Sequence, residues 1–117
     1  MAEQNNLTLK SQEAIQSGLK RAEAAQNPSF EPEHLFLELL LQDDGMVPQF
    51  LELAGVKLES FEKGLLARLA QLPQVSGSNV RVNASPALMN LLRNAETEAK
   101  GMGDLYVSTE HFVLAQL

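Results

Sequence analysis

The feature that most constrains the fold is an internal duplication of the sequence. EPEHLFLELL, residues 31–40, and STEHFVLAQL, residues 108–117, each join a Glu-His pair to an apolar run, and the two histidines are 77 positions apart. A copied helical unit buries its apolar face against its neighbour, so the pattern predicts an all-α duplicated bundle with pseudo-twofold symmetry. The same offset, without a gap, pairs Ser11 with Leu88, Ile15 with Leu92, Gly18 with Ala95, Ala22 with Ala99 and Ala25 with Met102.

The first helix of the first copy has clear start and stop signals. Thr8 is a natural N-cap, and Asn27-Pro28 must end the helix because the residue before proline is disfavoured in the helical region. The face between them consists of small residues. We expect that face, with Gly18 at its centre, to admit the backbone of another helix, since glycine costs about 1 kcal/mol relative to alanine in a helix interior.

Three more helices complete the first copy. Pro32 suits the first position of a helix that should reach Asp43, and apolar residues cover almost its whole circumference, which indicates a buried central helix. Apolar spacing then predicts a short helix over 47–54 and a fourth over 58–72.

The second copy is incomplete. Residues 73–84 contain turn formers and no helical stripe, which predicts a linker, and Ser85-Pro86 then supplies an N-cap and a first-turn proline. We expect one domain over 1–117, divided into repeat one at 8–72, this linker, and a partial repeat two at 85–117. Because only two of four expected helices follow the linker, about 30 residues are expected to be lacking after them.

Composition narrows the function classes. A net charge of −6 and a pI near 4.8, with no cluster of Lys or Arg, disfavour nucleic acid and anionic membranes as partners. The absence of cysteine and the separation of the two histidines argue against a disulfide framework and a metal site. We expect no cofactor. No secretory signal or spanning apolar run is apparent, so we expect a cytoplasmic protein.

Four stretches carry a family resemblance: LTLKSQEAI, PEHLFLELL, LARLAQLPQVSG and GDLYVSTEHFVLAQL. Together they resemble the N-terminal domain of the Clp ATPases, most closely that of the ClpB-type disaggregases. The resemblance implies an all-helical domain, tethered to two ATP-hydrolysing rings, that captures unfolded or aggregated polypeptide and passes it on. It implies as partners those polypeptides, the AAA+ modules of the same parent protein in a hexamer, and an adaptor. The chain has no glycine-rich phosphate loop, so we expect it to be non-catalytic and not to hydrolyse ATP.

The resemblance also nominates polar site residues. Thr8, Asp104 and Glu110 match positions that matter for ClpB activity. Each has a local interpretation as well: Thr8 caps a helix, Asp104 lies in a turn after glycine, and Glu110 complements a helix dipole. The two roles are compatible, because a cap also fixes the surface beside it.

Capture of polypeptide requires an exposed apolar surface. Leu9, Leu91 and Tyr106, with Leu7 and Leu105, are the apolar or aromatic residues that the main helical stripes leave spare. The alternative for Leu91 and Leu105 is that they complete the core. We expect Asn94, Glu98 and His111 to form a polar outer side of the second repeat.

Two other functions remain open. Glu33 and Glu110 occupy equivalent helix starts, and in the similar ClpC-type chaperones both glutamates help to hold phosphoarginine tags, which gives an alternative as a tag-docking or adaptor domain. A helical enzyme with its active site elsewhere is a third possibility, although no nucleophile or metal constellation supports it. His34 and His111 are expected to serve in structural packing or in a surface hydrogen bond, because Glu-His is not the zinc-binding His-Glu-x-x-His pattern.

Overall fold

A computed structural model describes residues 6–76 and 81–116, and within them the fold is all-α, as predicted. Residues 77–80 of the predicted linker, and residues 1–5 and Leu117 at the ends of the predicted domain, lie outside the described residues. The elements are α1 (Leu9–Ala24), β1 (Ser29–Phe30), α2 (Pro32–Leu41), α3 (Val47–Leu53), α4 (Leu58–Ala70), β2 (Asn83–Ala84), α5 (Pro86–Gly101) and α6 (Thr109–Gln116).

The two copies exchange backbone hydrogen bonds reciprocally. Strand β1 of the first copy pairs in parallel with β2, which precedes α5, and the Ser85 N–H donates to the Phe30 carbonyl at 3.0 Å. At the same offset of 77 positions, Leu7 bridges to Val107 in parallel, and the Thr8 N–H donates to the Val107 carbonyl at 3.0 Å. Each copy thus docks the segment before its first helix onto the other copy, which is the pseudo-twofold relation that the duplication predicts.

These strands were not predicted, since each contains only two residues and neither shows alternation. Strand β2 lies at the end of the predicted linker. A pairing of two residues leaves no periodic pattern, because its stability comes from the docked helices on either side.

The helix caps follow the sequence. The Thr8 Oγ1 accepts a hydrogen bond from the Ser11 N–H at 3.3 Å, and the Ser85 Oγ accepts from the Leu88 N–H at 3.0 Å. Both predicted N-caps are therefore confirmed. They start α1 and α5, which pack against α2 and α6 respectively.

Helix α2 is the centre of the core, but it is shorter than predicted. It ends at Leu41, because Gln42 is extended, and Leu41 is half-exposed at the surface. The other apolar side chains of α2 are buried, and the helix contacts α1, α3, α4 and α5. Met102, predicted on the buried face of α5, is exposed because it is the C-cap residue, beyond the last turn of the helix.

Gly18 leaves room for the ring of Phe30, whereas we expected it to leave room for the backbone of another helix. A Cβ at this position would lie 2.7 Å from two ring carbons of Phe30, while the nearest backbone atom of α2, in His34, is 3.6 Å away. The small face of α1 therefore makes room for an aromatic ring and then for α2. Among the described residues, no helix is both long and apolar enough to cross a membrane.

Candidate functional site

An exposed apolar pair stands on the loop between α5 and α6. Leu105 is 85% exposed and Tyr106 is 55% exposed. Leu9, in the first turn of α1, is 70% exposed and directly follows Thr8, whose N–H bonds the end of the same loop at Val107. We call these three residues, Leu9, Leu105 and Tyr106, the capture surface.

Backbone hydrogen bonds hold both ends of the loop that bears the pair. At its start the Asp104 N–H donates to the Ala99 carbonyl at 2.9 Å, across Gly103, whose φ of +75° favours glycine. At its end the Val107 N–H donates to the Asn6 carbonyl at 2.6 Å. The two apolar side chains are thus presented by a fixed backbone rather than by a long free loop.

Thr8 joins this arrangement through a second hydrogen bond. Its hydroxyl donates to the Ser11 Oγ at 3.0 Å, and the Ser11 hydroxyl donates to the Val107 carbonyl at 3.0 Å. Ser11 is completely buried. Thr8 therefore caps α1 and also belongs to a chain of hydroxyls that fixes the end of the loop. Sequence reasoning placed Ser11 on a packing face and missed this role, because a short polar residue on a small-residue face gives no separate signal.

Asp104 is bonded to a buried histidine. The Asp104 Oδ2 lies 2.9 Å from the His111 Nε2, and the His111 Nδ1 accepts from the Ser108 N–H at 2.9 Å. Since Nδ1 is an acceptor, the imidazole is the neutral tautomer that carries its proton on Nε2 and donates it to the carboxylate. His111 is 1% exposed, so its predicted place on a polar outer surface is wrong; Asn94 and Glu98 are exposed as expected.

The first copy contains the same arrangement at the same offset. We call this arrangement, in which one buried imidazole bonds a side chain through Nε2 and a backbone N–H through Nδ1, the histidine clamp, or clamp. The His34 Nδ1 accepts from the Glu31 N–H at 2.9 Å, and its Nε2 lies 2.9 Å from the Asn27 Oδ1. Burial lowers the pKa of His34 below its ordinary value of 6.5, because an imidazolium would lose its hydration there. Both histidines are thus buried, as the expected packing role requires, but their hydrogen bonds lie in the interior and not at the surface.

The loop held by the clamp of the first copy carries different side chains. Pro28 and Ser29 stand where the second copy has Leu105 and Tyr106, and both are only half-buried. The segment after α4 is also bonded to the start of this loop: the Asn27 Nδ2 donates to the Pro73 carbonyl at 3.1 Å, and the Val75 N–H donates to the Gln26 carbonyl at 2.8 Å.

The remaining groove candidates are less exposed. Leu91 is 3% exposed and belongs to the core, so the alternative given for it, that it completes the core, is correct. Leu7 is partly buried and packs against the same core. Leu105, by contrast, does not complete the core.

The two glutamates of the tag-docking alternative have different surroundings. The Glu33 carboxylate lies 3.4 Å from the Arg68 Nη1, at a groove of about 600 Å³ between α2 and α4. Phe36 and Phe61 line this groove and meet edge to face, with ring centroids 6.5 Å apart. Glu110 is not part of its lining. The Glu110 Oε2 is buried, and among the residues that the structure describes it has no hydrogen-bond partner.

Metal-ligating side chains do not gather in the described part of the chain. Across residues 6–76 and 81–116, no group of three or more His, Cys, Asp or Glu side chains is placed to hold a metal ion.

Comparison with known proteins agrees with this fold. The chain is 44% identical over 111 residues to the chaperone protein ClpB of Bdellovibrio bacteriovorus, an alignment that covers 95% of this chain and 13% of that protein. It is 39% identical to the ClpB of Corynebacterium diphtheriae, over 94% of this chain and again 13% of that protein. The chain therefore spans about an eighth of the length of these curated relatives.

Among solved structures, the N-terminal domain of the ClpV1 ATPase from E. coli EAEC has a TM-score of 0.87 at 22% identity, over 97% of this chain and 69% of that one. A ClpV N-domain in complex with a VipB peptide has a TM-score of 0.80 at 19% identity, over 95% and 67%. At these identities the likeness shows the fold alone. A family model described as the Clp repeat (R) N-terminal domain matches residues 6–117, and this chain therefore belongs to the Clp repeat N-terminal domain family.

Proposed function

We propose that this chain is the substrate-engaging and regulatory domain of a ClpB-type disaggregase. It binds unfolded or aggregated polypeptide at the capture surface and passes it to AAA+ rings of the same parent protein, assembled as a cytoplasmic hexamer. The chain itself performs no chemistry. The repeat bounds at 8–72 and 85–117 and the linker at 73–84 belong to the same proposal.

The observation that carries this proposal is the exposure of Leu9, Leu105 and Tyr106 beside one backbone junction. A backbone that is already fixed loses little conformational freedom on binding, and burial of the apolar side chains that it carries contributes favourable free energy whatever the sequence of the partner. Three exposed side chains offer only a small apolar area, so the proposed binding is weak and releasable, as transfer to a second site requires. The relative described as a ClpV N-domain in complex with a VipB peptide supports peptide binding by this fold.

Tyr106 provides a direct test. It is the single tyrosine of a chain without tryptophan, so the intrinsic fluorescence of the domain reports on the capture surface. We would titrate the domain with an unfolded apolar peptide that lacks tyrosine and tryptophan. Leu105→Ser should weaken binding about five- to tenfold, because one exposed apolar contact is lost.

Leu53→Ser is the matched control. Leu53 is 89% exposed on α3, so the substitution removes a similar apolar area from a different element. Binding by this variant should stay within about twofold of wild type. Equal losses in both variants, or a Tyr106 signal that does not respond to the peptide, would contradict the proposal.

A second candidate function is docking of phosphoarginine tags at Glu33, in the manner of the ClpC-type alternative. The observation that favours it is the ion pair itself, since the Glu33 carboxylate already faces the guanidinium of Arg68. Arg68 could also donate to the phosphate. Amide shifts upon titration with free phosphoarginine should then centre on Glu33 and Glu110, whereas shifts only near Tyr106, or none, would eliminate this candidate.

A further inference from the structure

We propose that His111 is the positioning residue of the capture surface. By fastening both ends of the loop 104–108, it holds Leu105 and Tyr106 in the orientation that a bound polypeptide meets. This inference rests on the proposed function of that surface and names a residue that contributes to its preorganisation.

The clamp of the second copy joins the two ends of the loop. One buried imidazole reaches the side chain of Asp104 through Nε2 and the backbone N–H of Ser108 through Nδ1, each at 2.9 Å. These contacts bracket the exposed pair. The ring itself is 1% exposed on α6, so its position is set by the core and does not follow the loop.

Leu105 and Tyr106 are too exposed to hold the loop in place by packing. Side chains as exposed as Leu105 and Tyr106 have little packing of their own to fix the backbone between them. The order of that backbone therefore comes from the bonds near its ends. Backbone bonds and the Ser11 hydroxyl contribute to it, and His111 is the one side chain among the described residues that bonds both Asp104 and Ser108. A loop ordered before binding loses less conformational entropy when the peptide arrives.

The first copy shows that the clamp alone does not explain a binding surface. His34 joins Asn27 to Glu31 in the same way, but Pro28 fixes its own φ, and the Pro73–Val75 segment is hydrogen-bonded to Gln26 and Asn27 at the start of the loop. His34 therefore stabilises a loop that other features also order. Variants of the two histidines form a matched pair.

The central experiment compares His111→Phe with His34→Phe at a temperature where both variants are folded. Phenylalanine retains an apolar ring of similar size and removes both hydrogen bonds. For His111→Phe we expect lower anisotropy of Tyr106 fluorescence, from faster nanosecond motion, and about tenfold weaker binding of the tyrosine-free peptide. His34→Phe should lower the melting temperature at least as much, because it leaves the buried Asn27 Oδ1 without its donor, yet keep both readouts near wild type.

Two variants of Asp104 keep the test decisive should His111→Phe not fold. Asp104 is 44% exposed, so substitution there leaves the core intact. Asp104→Asn retains an acceptor, as Asn27 does in the first copy, and should preserve the Tyr106 anisotropy. Asp104→Leu removes the acceptor and should reproduce the loss.

Two results would overturn the positioning role. One is an unchanged Tyr106 anisotropy in both His111→Phe and Asp104→Leu. The other is an equal loss of affinity in the two histidine variants, which would indicate a general effect of stability. Failure of the wild-type domain to bind peptide would instead refute the proposed function, while the anisotropy would still decide whether His111 orders the loop.

Discussion

The two loops that follow the first helix of each copy share one scaffold and differ in what they display. In both, a buried histidine joins the first residue of the loop to a backbone N–H four residues later, and a docked segment of the other copy bonds the carbonyl between them. The first loop carries half-buried Pro28 and Ser29, and the second carries exposed Leu105 and Tyr106. Duplication therefore supplied two equal supports, and the side chains placed on them distinguish a structural loop from a candidate binding loop.

The two clamps also differ in the side chain that faces the histidine Nε2, which is an amide in Asn27 and a carboxylate in Asp104. Asn27 is buried and uses its amide both to accept from His34 and to donate to the Pro73 carbonyl, whereas Asp104 is half-exposed and only accepts. A carboxylate is acceptable where water reaches it, and a neutral amide is required where water does not.

Exchanging these two residues should give the largest effect. Asn27→Asp places a charge in the core and sets a carboxylate oxygen against the Pro73 carbonyl, so we expect a loss of about 2–4 kcal/mol in the free energy of unfolding. Asp104→Asn should change it by less than about 0.5 kcal/mol. Urea unfolding of both variants measures the difference, and equal losses would show that the two clamps are equivalent.

A second exchange concerns the helix beside each loop. Gly18 faces the Phe30 ring, and 77 positions later Ala95 and Val107 occupy the same two places, so a larger helix residue accompanies a smaller loop residue. Gly18→Ala should cost about 1–2 kcal/mol, since a clash with a buried ring outweighs the helix propensity of alanine.

In a Phe30→Val background, which reproduces the second pair, the cost of Gly18→Ala should disappear. A double-mutant cycle measured by urea unfolding gives the coupling energy. Additive effects of the two substitutions would mean that Phe30 does not exclude a Cβ at position 18.

A smaller effect is expected from acid on the buried clamp of the first copy. The pKa of His34 is lowered in the folded chain from 6.5, so below pH 6.5 the unfolded chain binds more protons than the folded one. Stability from the neutral imidazole is therefore complete above that pH and is lost as the pH falls toward the lowered value. Protonation also removes the acceptor for the Glu31 N–H.

Unfolding free energies of wild type and His34→Gln, measured from about pH 7.5 to 5, isolate this contribution. The wild type should lose more stability on acidification than the variant. Parallel curves would show that His34 does not titrate differently in the two states.

The smallest effect should come from the surface ion pair that distinguishes Glu33 from Glu110. Arg68→Ala removes the partner of Glu33, but the arginine side chain is largely exposed, so the free energy of unfolding should change by less than about 0.5 kcal/mol. A loss above 1 kcal/mol by urea unfolding would mean that the pair closes the groove between α2 and α4 more firmly than its exposure suggests.

The sequence predicted features that repeat along the chain. It predicted the offset of 77 positions, the N-caps at Thr8 and Ser85 and the buried centre of α2. These features could be predicted because periodic apolar residues and capping side chains act within a few residues of one another. The roles of Ser11 and His111 could not be predicted in this way. Each looks ordinary beside its neighbours, and its role comes from a partner at the far side of a loop or in the other copy.

By itself, then, the sequence determined that this protein is a duplicated helical domain and roughly where its helices begin and end, since local propensity and hydrophobic period carry that information. Only the tertiary structure decided that Leu105 and Tyr106 are exposed while Leu91 is buried, and that two-residue strands join the copies reciprocally. Exposure and long-range pairing depend on which surfaces meet when the two copies pack, and no local pattern encodes that contact.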